Sequence, residues 1–382
     1  MTDVKERLAG LSAEQRSRLV QGLSKRRGTT APAKTKKVIP TADNFCCGLA
    51  TPGNFNGITF QPLEITPPGP GQVRIRARAV SLNFRDLMIA MHMYPAAPGV
   101  PSIMGSDYAG EVTACGEGVS QFKPGDRVMA LSAGDLNPSG GIIDNRHFCA
   151  ETNLSSHQVV PISDNISFEE AAGIPTVFLT SFYALHHLAR LKAGERVLIH
   201  TATGGVGLAA MQIAHWKGAE IYTTAGSETK RSFLQAQGIK QPMNSRTTDF
   251  AKQILTQTQG EGVDVILNTL SGEAVQKGLE VLSMFGRFLQ IGKHDVSNNN
   301  ALDLAPFVKG LSFSVIDLSL FALHPDRLQT LMLELSNHFR DGHLKPIHHT
   351  TYPVSKLGEA LTFMSHSKHI GKIVLNFDQR SS

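Results

Sequence analysis

Cysteine is scarce, with four residues (Cys46, Cys47, Cys115 and Cys149) in a chain of 382. They are too few and too scattered for a disulfide scaffold, and none has metal-ligand spacing. Long apolar runs are missing too. No stretch is long enough to span a bilayer, and the N-terminus lacks the hydrophobic core of a signal peptide. The expectation is a cytoplasmic protein with no membrane partner. Charge is modest at 18% of residues against 41% hydrophobic, as in an ordinary soluble globular chain.

The net charge of +5 is not spread evenly. Residues 1–37 hold ten basic and three acidic residues, whereas the rest holds 27 basic and 29 acidic. The excess sits in Lys25, Arg26, Arg27, Lys34, Lys36 and Lys37, without interleaved aromatics or a recognised nucleic-acid module. That favours a solvated linker over a nucleic-acid surface. Within it, Leu8, Leu11, Leu19, Val20 and Leu23 recur at helical spacing over residues 8–27, and Ser12 to Gln15 resembles a capping box. This leader is either a docking helix with its linker or a partly disordered tail.

The body is long enough for two domains. From about residue 56 to 160 it is rich in strand patterns and turns. Val73 to Val80 alternates apolar with basic residues, as a half-buried strand does, and Glu111–Ala114 and Asp126–Ala130 follow between glycines. From about residue 167 strands alternate with helices: strands at Arg196–His200, Glu220–Thr224, Val263–Thr269 and Gly286–Ile291, helices at Val206–Trp216 and Glu228–Gln237. That alternation predicts a parallel sheet with crossover helices. After about residue 307 the pattern is mixed, ending in the strand-like Lys372–Phe377.

Thr201-Ala-Thr203-Gly204-Gly205-Val206-Gly207 lies between the first strand and helix of the α/β segment. Glycines there let the backbone approach a pyrophosphate at a helix N-terminus, and the context favours dinucleotide binding over a merely structural turn. The second strand runs into Thr224-Ala-Gly-Ser227-Glu-Thr-Lys230-Arg231, where an NAD site usually places a carboxylate for the ribose diol. Hydroxyl and basic groups at Ser227 and Lys230 suit a 2′-phosphate, so NADPH is the expected cofactor. The alternative is that Lys230 is an ordinary solvated helix residue.

With these pieces in place, the chain resembles the enoyl reductase domains of modular polyketide synthases and animal fatty acid synthase. These belong to the zinc-independent, quinone-oxidoreductase-like branch of the medium-chain dehydrogenase/reductase superfamily. The likeness runs from about residue 48 to 377. It is carried by Ser81-Leu-Asn83-Phe-Arg-Asp86, Met93-Tyr94-Pro95, Gly105-Ser-Asp-Tyr-Ala-Gly110, Pro124-Gly-Asp-Arg-Val128, Phe178-Leu-Thr180-Ser-Phe-Tyr183, Asn268-Thr-Leu-Ser-Gly272, Ile291-Gly292-Lys293-His294 and His369-Ile-Gly-Lys-Ile373. The resemblance implies an α/β chain in which a GroES-like β-rich substrate domain (38–166 and 307–382) is interrupted by a Rossmann domain (167–306), with the active site in the cleft between them. It implies Asn83 and Thr180 near the nicotinamide, and Arg246 beside Ser227 and Lys230 at the 2′-phosphate. The zinc branch's Gly-His-Glu position reads Gly105-Ser106-Asp107 here, so no metal is expected. The 15 histidines show no ligand spacing, and the adjacent pairs His186-His187 and His348-His349 would point apart on a strand or helix.

Reduction of an enoyl thioester takes hydride at the β-carbon and a proton at the α-carbon, and the resemblance offers Tyr94, Lys293 and Asp317 as groups for the proton. The implied partners are an acyl carrier protein with a phosphopantetheine-linked enoyl chain and neighbouring synthase domains. Monomer and homodimer both stay open. The rival readings are a free-standing NADPH quinone or enone reductase, cyclopropane closure by γ-halide displacement after the same hydride addition, and NADPH binding without turnover.

Overall fold

The computed structural model describes Ile39 and residues 44–49, 51, 53–94, 103–132 and 147–379. The expected leader helix over 8–27 and the linker over 28–37 lie outside these residues. The chain divides into two compact units. The first takes the described residues up to Pro175, then Phe321–Gln329 and those from His349, and the second takes Thr176–Leu320 and Thr330–His348.

The first unit opens with β1 (Phe45–Leu49) and β2 (Ile58–Pro62), an antiparallel pair. It continues with β3 (Gln72–Leu82), β4 (Asp107–Cys115), β5 (Arg127–Leu131), β6 (Glu151–Ser155) and β7 (Val159–Pro161). β3 carries the alternation expected of a half-buried strand. Val73, Ile75 and Ala77 enter the core, while Arg76 reaches Glu151 at 2.9 Å and Arg78 reaches Asp378 at 3.0 Å on the other face.

The second unit is a doubly wound sheet of β8 (Arg196–Ile199), β9 (Glu220–Ala225), β10 (Met243–Asn244), β11 (Val263–Asn268), β12 (Leu282–Gln290) and β13 (Ser312–Val315). Its order is β10-β9-β8-β11-β12-β13 with every pair parallel. Val197, Leu198, Ile199, Ile266 and Leu267 are all buried, the near-continuous apolar run that a parallel sheet covered on both faces demands. The chain then returns to the first unit with β14 (His349–Pro353) and β15 (Lys372–Asn376), giving a seven-stranded sheet of order β14-β15-β3-β4-β5-β7 with β6 against β3.

Two boundaries differ from the sequence pattern. β12 starts at Leu282 rather than Gly286, because Val263 pairs with Leu282 and the ladder resumes only at Val265 with Arg287. The intervening bulge leaves Met284 and Phe285 exposed, so two apolar residues that look like core point to water. The change of pattern at residue 307 falls before β13, which extends the parallel sheet by a sixth strand. As an edge strand of half-exposed Ser and Phe residues it carries no apolar run to betray it.

Two histidines are buried in the neutral form, one per unit. Burial lowers His147 to about 4 and His200 to about 3. The His147 Nδ1 accepts from the Met104 N–H at 3.1 Å, and the His200 Nδ1 lies 3.0 Å from the Thr224 hydroxyl. Both folded values lie below the unfolded one near 6.5, so the stability these groups contribute is present above that pH and lost as pH falls through 6 toward 4. Each is expected to cost about 1.4 kcal/mol per pH unit in that window. In the first unit Asp86, raised by burial to about 6, regains stability over the same window and offsets His147, so the net loss comes from His200. Calorimetry at pH 7 and pH 5 should show a smaller fall in melting temperature for His200→Gln than for the wild type; an equal fall would contradict the buried neutral state.

Candidate functional site

Every candidate residue of the second unit except Thr180 follows the carboxyl end of a sheet strand. Ligands of open parallel sheets bind at that edge. The first turn begins beyond β8 at Thr201, whose φ of +50° starts the reversal. The helix Gly205–Trp216 follows, and Gly204 at its N-cap brings no side-chain acceptor to the first turn. Those N–H groups therefore keep their capacity for an anion. A Cβ on Gly207 would lie 2.4 Å from the Ala202 Cα, so only glycine allows the helix to close on the turn. Thr203 is buried, whereas Gly205 and Val206 are partly exposed. Thr180 is buried in the helix Pro175–Phe182, and the next residue, Ser181, places its hydroxyl 3.0 Å from the Val206 carbonyl.

β9 ends at Ala225, and Ser227 caps the next helix (Glu228–Ala236) by accepting from the Lys230 N–H at 3.4 Å. Arg246, just past β10, lies against Gly226; a Cβ there would be 3.4 Å from the Arg246 Nε. Burial lowers Lys230 below its ordinary value, and the neighbouring Arg246 charge lowers it further. Both basic groups thus stand by the turn that follows β9. Glu228, the carboxylate nearest the strand end, is turned to Arg231 at 2.6 Å.

The end of β12 delivers Gly292 and Lys293, and the end of β13 delivers Asp317. Lys293 Nζ and Asp317 Oδ2 are 2.7 Å apart, each partly exposed. Burial alone would raise the Asp317 carboxyl, but the hydrogen bond and charge of Lys293, with two hydrogen bonds from Ser319, hold it below its ordinary value. Beneath them lies an amide pair to which the sequence pattern gives no role. Asn268 Nδ2 donates to Gln290 Oε1 at 2.7 Å and to the Leu270 carbonyl at 2.9 Å, and Gln290 Nε2 donates to the Gly292 carbonyl at 2.7 Å. Both side chains are buried, so the pair fixes the loops that carry Thr269 and Lys293. The available signal is a polar amide at the end of each apolar strand.

In the first unit Asn83 precedes the short helix Phe84–Ala90 and joins a buried polar cluster. Its Nδ2 donates to Asp107 Oδ2 at 3.0 Å and Ser106 Oγ at 3.3 Å, and its Oδ1 accepts from Lys372 Nζ at 2.6 Å. Lys372 also meets Asp107 at 3.2 Å, with both side chains buried. Burial pushes Asp86 up to about 6 despite hydrogen bonds from the Asn83 and Gly105 N–H groups. At the position where the zinc branch carries its ligand motif, Asp107 Oδ2 is shared by Lys372, Asn83 and Ser81. Lys372 belongs to the His369–Ile373 motif, yet nothing in the sequence assigns it work. Tyr94 packs against this unit's core with the Arg85 guanidinium 4.9 Å above its ring; its neighbour Pro95 lies outside the described residues.

Comparison with known proteins agrees with this architecture. The family model for the alcohol dehydrogenase GroES-like domain matches residues 69–162, and that for zinc-binding dehydrogenases matches residues 237–375. The solved structure of the CurK enoyl reductase is 36% identical, with a TM-score of 0.75 over 87% of this chain and 99% of that one. The CurF cyclopropanase of the curacin A pathway is 32% identical at a TM-score of 0.77, with the same shares covered. The phenolphthiocerol/phthiocerol polyketide synthase of Mycobacterium tuberculosis has a polypeptide 40% identical over 332 residues, 87% of this chain. The match spans only 15% of that synthase polypeptide. The fold implies a nicotinamide dinucleotide, and among the described residues no helix is long and apolar enough to cross a membrane. The chain belongs to the medium-chain dehydrogenase/reductase superfamily, among the enoyl reductases of polyketide synthases.

Proposed function

We propose that the protein reduces the α,β-double bond of an enoyl thioester carried on an acyl carrier protein, with NADPH as reductant, as one catalytic domain of a synthase. The observation that carries this reading is the Lys293–Asp317 pair at 2.7 Å on the carboxyl edge of the nucleotide sheet. An ammonium held by a carboxylate is a positioned proton source at the edge where ligands of this fold bind. Hydride for the β-carbon is the chemistry a bound nicotinamide supplies. Lys293 then gives a proton to the α-carbon, Asp317 holds the ammonium in place, and Tyr94 is the second candidate for the same proton. Asn83 and Thr180 line the nicotinamide, Thr203 to Gly207 hold the pyrophosphate side, and Gly292 also belongs to the cofactor site.

The preference for NADPH rests on Ser227, Lys230 and Arg246. Lys230→Ala is expected to lower kcat/KM for NADPH by about tenfold to a hundredfold, the worth of one charge-assisted hydrogen bond, and to leave NADH nearly unchanged. An equal loss with both cofactors would remove Lys230 from the 2′-phosphate.

Product masses after incubation with NADPH and enoyl thioesters on carrier protein, including a γ-chlorinated one, test the whole reading. A gain of two hydrogens is expected. Loss of chloride with ring closure would mean that the enolate attacks its γ-carbon before protonation. NADPH oxidation with a quinone but with no thioester would overturn the carrier-protein assignment.

A further inference from the structure

Adjacent histidines on an α-helix diverge by about 100°, yet His186 and His187 converge on one acid. The helix Pro175–Phe182 continues into a π-helical turn, Tyr183–Leu188, with the Ala189 N–H donating to the Ala184 carbonyl at 2.9 Å. More residues per turn mean a smaller angle between neighbours, and such turns occur often at functional sites. His186 Nε2 lies 3.5 Å from Glu334 Oε1, and His187 Nε2 lies 3.1 Å from Glu334 Oε2. One ligand atom from each of the three residues lies within 4.8 Å of the other two.

We propose that His186, His187 and Glu334 form a binding site for one divalent transition metal of the zinc type, separate from the reductive chemistry. Two imidazoles and a carboxylate are the donor set such ions take, and the fourth position is left for water. Metal–ligand bonds of about 2.0–2.1 Å in a tetrahedron place neighbouring donors about 3.3 Å apart. The two nitrogen–oxygen separations lie near that spacing but run to different carboxylate oxygens, and the three ligand atoms lie within 4.8 Å of one another, so rotation of the side chains draws them onto one ion. His187 Nε2 makes no hydrogen bond despite its nearness to Glu334, because the carboxylate lies off its donor line. His186 Nδ1 is likewise buried without a partner.

Side-chain exposures of 25%, 32% and 37% put the three residues at the surface, with His187 Nε2 itself covered, so that ring turns to admit an aqueous ion. His338, one helical turn beyond Glu334, packs on Trp216 with ring centroids 4.5 Å apart. Lys217 is the opposing feature, with its ammonium 4.0 Å from the Trp216 ring. It limits the affinity without occupying a ligand position.

Trp216 is the sole tryptophan of the chain, and its ring centroid lies 5.4 Å from that of His186, so its fluorescence reports the site. The test is titration of the full chain, free of any histidine tag and stripped with EDTA, with Co2+. Saturable quenching with one ion per chain is expected, reversed by EDTA, displaced by Zn2+ and accompanied by the visible bands of tetrahedral Co2+. His187→Gln and Glu334→Gln should each weaken it by at least about tenfold, since even an outer-shell partner is worth that much. The melting temperature of the metal-free protein checks that each variant folds. No quenching into the millimolar range, or quenching equally strong in both variants, would overturn the site.

Discussion

Replacing Lys293 by methionine is expected to lower enoyl-thioester turnover by about two to four orders of magnitude while NADPH affinity stays close to unchanged. That range is what a positioned general acid contributes. Methionine keeps the length and apolar stem of the side chain and removes only the ammonium. The fold should tolerate it, because the Lys293–Asp317 pair is partly exposed and such pairs are worth little stability. Asp317→Asn keeps the proton donor and removes what orients it, so its loss should be smaller, and Ser319 still anchors the side chain through its N–H and hydroxyl. Tyr94→Phe separates the two candidate donors. If Lys293→Met turns over at the wild-type rate and Tyr94→Phe does not, the proton comes from the tyrosine. Stopped-flow absorbance of NADPH oxidation, read beside the mass of the product, measures all three.

Much of the scaffold behind that experiment is legible from residues alone, because it rests on local rules. The alternation in Val73–Val80 sets β3, and the glycines of 204–207 lie between a strand and a helix as the pattern requires. Gly207 shows why: its missing Cβ is what lets the helix meet Ala202. What stays hidden depends on contacts between distant positions. Lys372 lies 265 residues from Asp107, and no periodicity announces that a lysine inside an apolar strand will be buried against it. Asn268 and Gln290 read as strand ends until the sheet sets them side by side. His186 and His187 look divergent under helical geometry because sequence does not signal a π-helical turn. The bulge in β12 hides its start in the same way, since Met284 and Phe285 carry core-like side chains into water.

Lys372→Met is expected to be the most destabilising of the single changes considered, by about 3–5 kcal/mol, the usual cost of removing one partner from a buried ion pair. In a unit of this size that corresponds to a melting temperature lower by roughly 10 °C. The reason is charge rather than volume. Methionine fills nearly the same space, but Asp107, with no exposed surface, loses the ammonium, while the neutral donors Ser81 and Asn83 remain. Asp86, also fully buried, loses a favourable charge as well. Asn83 loses the ammonium that fixes its Oδ1 at 2.6 Å, so any residual activity should show a raised KM with the nucleotide or the thioester. A second change distinguishes charge from packing. Lys372→Met combined with Asp107→Asn removes both ions of the pair, leaving Asp86 the one group that still misses the ammonium, and replacing a buried pair costs far less than breaking it. The double variant should therefore melt above the single one. If it melts at the same temperature or lower, the lysine stabilises the unit through its stem, and the ion pair is incidental to the fold.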